Sequence, residues 1–301
     1  MCFVGQNLVF EQASSVINNL TGADFNAKQI ERTCHLYGGL LEAETQLLIE
    51  SGASKKYSSQ TANELHYAMI DGAMYPTKEE EYSWKEVKLG RVIRSQEILS
   101  LSEKRNYIET STYVGHLGEA KDFFPKMEYV LDGLKKIVFI CDGAKWIWNW
   151  IELNYPESIQ ILDFYHAKEH MCEFAKDYFS NDKERSQWVE IQSNALMEQA
   201  PEIVIQSIRN LKSQEKSSVK KENLLNYYQT NINRIRYKEF KAQGLYIGSG
   251  AIESAHKLFQ ERLKLSGQHW TKEGLQKMTQ LRAVYKSDDW ERVKKIAKMA
   301  A

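Results

Sequence analysis

Two short apolar runs end in the same way. Val138-Phe139-Ile140-Cys141 stops at Asp142-Gly143, and Tyr67-Ala68-Met69-Ile70 runs into Asp71-Gly72. Short apolar runs bounded by turn residues read as buried strands, so each aspartate is expected where its strand leaves the sheet. A third acid, Glu253, lies in Gly248-Ser249-Gly250-Ala251-Ile252-Glu253-Ser254, a glycine-rich turn that opens a helix. Three carboxylates gathered at one place repel one another unless a cation joins them. Their hard oxygens suit Mg2+ or Mn2+. Two such ions about 3.5–4 Å apart can activate an attacking oxygen and stabilise a leaving one in phosphoryl transfer. Each acid alone has a plainer use. Asp-Gly is an ordinary surface turn, and a glutamate in the first turn of a helix gains only about 0.3–1 kcal/mol from the helix dipole.

Asp163-Phe164-Tyr165-His166 is a second pairing of acid and imidazole. It is either a helix N-cap followed by an ordinary histidine or a part of the same site. His170 follows one turn later. A zinc site from Cys172 and these histidines lacks a fourth local ligand.

The elements that must position these residues follow from periodicity. Residues 8–50 carry helical spacing broken at Thr21-Gly22, so two helices across a glycine turn are expected, a pattern that resembles a helix-turn-helix. Strands are expected at 65–70, 84–98 and 111–114, a helix at 119–134, a strand at 137–141, a helix at 145–153 and a strand at 159–163. Residues 164–240 read as helical throughout, and a new helix starts at Ala251. The order β-β-β-α-β-α-β matches a ribonuclease H-like α/β core, with a large all-helical insertion before the last core helix. In that core the last helix packs beside the first and fourth strands, so Glu253 is expected to face Asp71 and Asp142. Four parts are expected: a helical N-terminal segment 1–60, the first part of the core 61–163, the insertion 164–243, and 244–301 with the final core helix and basic C-terminal helices.

The 301 residues are 43% hydrophobic and contain no apolar run long enough to span a membrane. No secretory leader is evident, and the four cysteines form no Cys-x-x-Cys pair, so a reducing cytoplasm is expected. Net charge is zero, but residues 205–301 hold 20 Lys/Arg against nine Asp/Glu, a net +11 balanced by −11 elsewhere. Such asymmetry fits a polyanion-binding part joined to an acidic one; solvated helix faces are the plainer account of each basic cluster taken singly.

The strings Asp142-Gly143-Ala144-Lys145-Trp146-Ile147-Trp148, Leu162 to His170, Gly248 to Ser254 and Arg262-Leu263-Lys264-Leu265-Ser266-Gly267-Gln268-His269-Trp270 together resemble bacterial insertion-sequence transposases of the ISKra type. Those are similar to the wider Mutator-like group of DDE transposases, and the resemblance spans roughly residues 8–292. It implies a catalytic, metal-holding triad of Asp71, Asp142 and Glu253, with two Mg2+ or Mn2+ ions. It also implies that Asp163 and His166 form an auxiliary (Cys/Asp)-x-x-His element. The implied partner is double-stranded DNA, both transposon ends and target, met by a homo-oligomer in the nucleoid. Arg262, Lys264 and His269 are expected to reach the phosphate backbone, and Trp270 to stack on an unpaired base. A core position for Trp270 is the alternative. The chain begins closer to the core than is usual in that family. A second reading is therefore an N-terminally truncated relative that binds DNA without cutting it.

Overall fold

The computed structural model describes residues 1–78, 83–102, 105–212 and 217–299, without the side chain of Arg105. Lys216 of the basic stretch lies outside the described residues. Four helices come first, α1 (Cys2–Gly5), α2 (Phe10–Thr21), α3 (Ala27–Glu50) and α4 (Ser59–Asn63). Strands β1 (Leu65–Pro76), β2 (Trp84–Arg94), β3 (Ile98–Ser102), β4 (Arg105–Ile108) and β5 (Thr112–Leu117) follow. Then come α5 (Ala120–Leu131), β6 (Lys136–Cys141), α6 (Lys145–Asn154) and β7 (Ile159–Leu162). The rest is helical: α7 (Phe164–Tyr178), α8 (Asp182–Glu198), α9 (Pro201–Asn210), α10 (Ser218–Thr230), α11 (Tyr237–Ala242), α12 (Gly250–Leu263), α13 (Lys272–Lys286) and α14 (Trp290–Met299). The protein is mixed α/β, with both antiparallel and parallel strand pairing. No helix among the described residues is long and apolar enough to cross a membrane.

The expected strand order is met with one addition. The predicted strand 84–98 ends at Arg94, and a separate antiparallel hairpin, β3–β4, follows it. Residues 164–242 form helices only, among the described residues. The chain divides into two compact units: Met1–Ile137 with Ala251–Ala301, and Val138–Gly250.

In the first unit β2 lies between β1 and β5, antiparallel to both. β1 is longer than expected. It does not end at Ile70 but pairs with β2 through Pro76, with Asp71 opposite Leu89 and Gly72 opposite Lys88. Asp71 is therefore a mid-strand residue, not a strand-exit residue. Backbone pairing with β2 continues because the hydrogen-bonding ladder is indifferent to the side chain at that register. α3 starts with a capping box in which the side chains of Asn26 and Gln29 each accept the other's backbone N–H. Its buried residues Ile30, Cys34, Gly38 and Leu41 follow helical spacing, and α3 packs on α13. Gly38 lies so close to the carbonyl of Lys277 that a Cβ there would collide with backbone. The second helix of the expected helix-turn-helix is thus 24 residues long, with its apolar stripe turned inward.

In the second unit β6 and β7 pair in parallel, Val138 opposite Ile159 and Cys141 opposite Leu162. Val138 to Cys141 are wholly buried, which is why they form one unbroken apolar run. The link between the strands is α6, which buries Ile147, Trp148, Trp150 and Ile151. Among the helices that follow, α10 is tied to α7 by the buried Tyr228 hydroxyl, which donates to the carbonyl of Ala167 over 2.8 Å.

Candidate active site

The first unit brings Asp71 to α12. One carboxylate oxygen of Asp71 accepts the N–H of Gly72 over 2.7 Å. The other lies 3.3 Å from Nε2 of His256, a buried imidazole on α12. This separation is within ion-pair range but off the hydrogen-bonding direction, and neither ring nitrogen has a hydrogen-bond partner. Glu253 is exposed, in the first turn of the same helix and one turn before His256. Asp71 therefore meets α12 one turn after Glu253.

The start of α12 is anchored from β2. Arg91 is 5% exposed in an otherwise apolar stretch, and one of its Nη atoms donates to the Ala251 carbonyl (2.6 Å) and to Ser254 Oγ (3.0 Å). Its Nε donates to Ser111 Oγ over 2.9 Å, and its guanidinium lies 5.1 Å from the Tyr113 ring centre. Burial pushes the Arg91 pKa below the usual arginine range, with Tyr113 acting weakly in the opposite direction. Sequence reasoning missed Arg91 and His256. Each left a signal: a lone cation inside Gly90-Arg91-Val92-Ile93, and a histidine one turn from Glu253.

The second unit holds its acids by backbone. β6 ends at Cys141, so Asp142 stands at a strand exit as predicted. Its carboxylate accepts the Ala144 N–H (3.0 Å), and its carbonyl accepts Trp148 Nε1–H (2.6 Å). Gly143 lies beneath the ring of Tyr227, where any Cβ would strike the phenol. The Tyr227 hydroxyl is buried without a hydrogen-bond partner, and the His170 ring is 4.1 Å away, centre to centre. Burial first, and then the charges of Asp142, Asp163 and Glu169, push the Tyr227 pKa upward.

Asp163 is wholly buried and caps α7, accepting the His166 N–H over 2.8 Å. Its other oxygen accepts the Ser249 N–H, and the Phe164 N–H donates to the Ile247 carbonyl over 3.0 Å. The Asp-x-x-His element and the Gly-Ser-Gly turn are thus one hydrogen-bonded structure, with the aspartate as its cap. His166 is partly exposed, its Nδ1 3.6 Å from Glu169.

Two of the four predicted DNA contacts do not lie on the surface. Arg262 has no exposed surface. Its guanidinium is flanked by the rings of Phe10 and Trp270, at 4.7 and 5.2 Å, and its Nε donates to the Gly5 carbonyl over 3.0 Å. Burial pushes its pKa down to about 10. Trp270 is 5% exposed and donates to the Leu263 carbonyl over 2.9 Å. A delocalised cation can be buried when aromatic faces and a carbonyl replace water, and helical spacing alone does not reveal this. Lys264 and His269 do lie at the surface; the Lys264 ammonium is 5.0 Å from the ring centre of the half-exposed Trp84. Among the described residues no three His, Cys, Asp or Glu side chains are gathered as a ligand set for a metal ion.

Fold and site thus define a mixed α/β protein with a buried strand–helix contact around one aspartate and a backbone-held pair around two others. Residues 48–298 match the uncharacterised protein family UPF0236, and the chain belongs to that family. No curated protein matches it.

Proposed function

We propose that this chain is a DDE transposase that cuts DNA at transposon ends and joins the freed strand to target DNA. The single observation that carries the reading is the contact of Asp71 with α12 through His256, one turn from Glu253. It links the strand that carries one proposed acid to the helix that carries another, which supports a shared site. The strand and helix order supports a ribonuclease H-like core, and the resemblance of the Asp142, Asp163 and Glu253 strings supports the same chemistry.

In donor chemistry Asp71, Asp142 and Glu253 fit hard divalent cations: all three offer carboxylate oxygens, and each oxygen that accepts one N–H keeps a further lone pair. Mg2+ or Mn2+ bound by such carboxylates would neutralise phosphate charge and ease loss of a proton from the attacking oxygen. The chain's own part is to fix the acids. Gly72 N–H and His256 hold Asp71, Arg91 holds the helix start behind Glu253, and Ala144 N–H holds Asp142. In the first reaction water attacks a phosphodiester, the P–O3′ bond breaks, and the strand ends as a 3′-hydroxyl and a 5′-phosphate. In the second, that 3′-hydroxyl attacks a target phosphodiester, one P–O bond forming as another breaks. The positively charged stretch 205–301 supplies phosphate contacts, with Lys264 and His269 at the surface. The working form is a homo-oligomer on DNA, in the cytoplasm at the nucleoid.

The test is Mn2+-dependent nicking of duplexes that carry the sequences flanking the gene. Asp142→Asn and Glu253→Gln should each lower nicking at least 100-fold while leaving DNA binding within about threefold, since a charge that stabilises a phosphoryl-transfer transition state is worth about 3–4 kcal/mol. Unchanged nicking in both variants would refute the assignment. Binding of end DNA by the wild type without any nicking would favour a non-cutting relative.

A further inference from the structure

We infer that His256 is a positioning residue: its imidazole fixes the Asp71 carboxylate, and with it the turn of α12 that presents Glu253. This deepens, and rests on, the metal-dependent reading proposed above. His256 belongs to none of the predicted site residues. It is buried to 7% exposure, and neither ring nitrogen has a hydrogen-bond partner. An unpaired polar group in the interior is costly, so replacement by Phe or Leu would be the stabilising choice if packing were the only demand. Its one polar neighbour among the described contacts is Asp71, 3.3 Å from Nε2.

The placement explains what the contact does. Asp71 sits in mid-strand opposite Leu89, so its backbone is fixed by the ladder and only its side-chain torsions remain free. Gly72 N–H takes one oxygen, which leaves rotation of the carboxylate about that contact. His256 limits that rotation from the helix side. Glu253 is exposed one turn before His256, so the same contact locates the turn that carries it. Arg91 fixes the axial position of this turn through Ala251 and Ser254, so two independent contacts locate it. A carboxylate held at both oxygens meets a cation with less orientational entropy to lose, which is how partners behind a ligand raise metal affinity.

Two measurements test this on the full chain. The first is Mn2+ binding without DNA, followed by electron paramagnetic resonance of the free ion. His256→Ala should weaken binding at least fivefold, whereas His256→Gln, whose amide nitrogen can stand near the position of Nε2, should stay within about twofold. Both variants should keep a melting temperature close to that of the wild type. Equal Mn2+ affinity in wild type and His256→Ala would overturn the proposal. The second is nitrogen NMR of 15N-histidine-labelled protein, with His256→Gln used to assign the resonances. Asp71→Asn should move the His256 ring signals at constant pH, and unmoved signals would overturn the contact. If the wild type binds no Mn2+, the metal reading falls and the positioning role with it, while the NMR comparison still decides whether His256 and Asp71 touch.

Discussion

The two units hold their acids by different means. In the unit of β1, β2 and α12, Asp71 accepts one local backbone N–H, from Gly72, but its other oxygen faces His256, and the helix start behind Glu253 is held by Arg91; both side chains come from distant parts of the sequence. In the unit of β6, β7 and α7, Asp142 and Asp163 are held by backbone N–H groups two and three residues further on, with Ser249 added to Asp163. Backbone contacts of short range form as soon as the local turn forms, so they make rigid, locally determined acids. Side-chain contacts across elements exist only when the whole unit has folded, and single substitutions can loosen them. The first unit is therefore where orientation can be tuned, and the second is where it is fixed.

The largest effect should come from the fixed side. Asp163→Ala removes an N-cap and strands the N–H groups of His166 and the nearly inaccessible Ser249. We expect a loss of about 3–4 kcal/mol in urea unfolding, since a cap contributes about 1 kcal/mol and a buried orphaned donor costs about 1–3 kcal/mol. A loss under about 1 kcal/mol would break the contrast, because the backbone-held acid would then be dispensable to the fold.

Arg91→Ala should cost somewhat less, about 2–3 kcal/mol, because it takes a charged donor from the Ser111 and Ser254 hydroxyls and from the Ala251 carbonyl, which keeps only the Ser254 hydroxyl as a side-chain donor, and removes a stacked guanidinium. Hydrogen exchange should rise in the first turn of α12 more than elsewhere. Uniform exchange along α12 would show that this helix start is not held from β2.

The smallest effect concerns pH and sharpens the same contrast, since the histidines with depressed pKa values all lie in the first unit. Burial lowers those of His35 and His66, and burial together with the Lys126 ammonium lowers that of His116 to about 4. Lys126 is 3.1 Å from His116 Nδ1, and its other partner is Glu42. The unfolded chain binds a proton near pH 6.5 that folded His116 refuses until about pH 4. Its contribution to stability is therefore complete above pH 6.5 and is lost as pH falls from 6.5 towards 4. After allowing for partial solvent screening, the loss is about 1–2 kcal/mol. His116→Asn should flatten that part of the acid limb in melting temperature against pH. An unchanged limb would place the pH dependence elsewhere in the unit.

Legibility in the sequence followed the same division. The exit of β6 at Asp142, the N-cap at Asp163 and the all-helical stretch after it could be read because each depends on residues within a few positions. Gly143 could be read as a turn glycine, but its demand for space comes from Tyr227, a residue of α10. Asp71 was misplaced at a strand end because an Asp-Gly pair reads as a turn, whereas pairing with β2 carries the strand on to Pro76. Arg262 reads as a surface group on a basic helix, and Trp270 as either a base-stacking or a core residue. They are interior because Phe10 and Gly5, from the other end of the chain, supply the ring face and carbonyl that make burial tolerable.

The sequence by itself determined the mixed α/β class, most strand and helix positions, and the acids that stand at local turns. These depend on periodicity and on hydrogen bonds that close within a few residues. Only the tertiary structure decided that β1 runs through Asp71, that His256 meets that aspartate, that Arg91 holds the head of α12, and that Arg262 is buried. Each of these couples residues far apart in the chain, and a contact of that kind has an energy only after folding has brought its partners together.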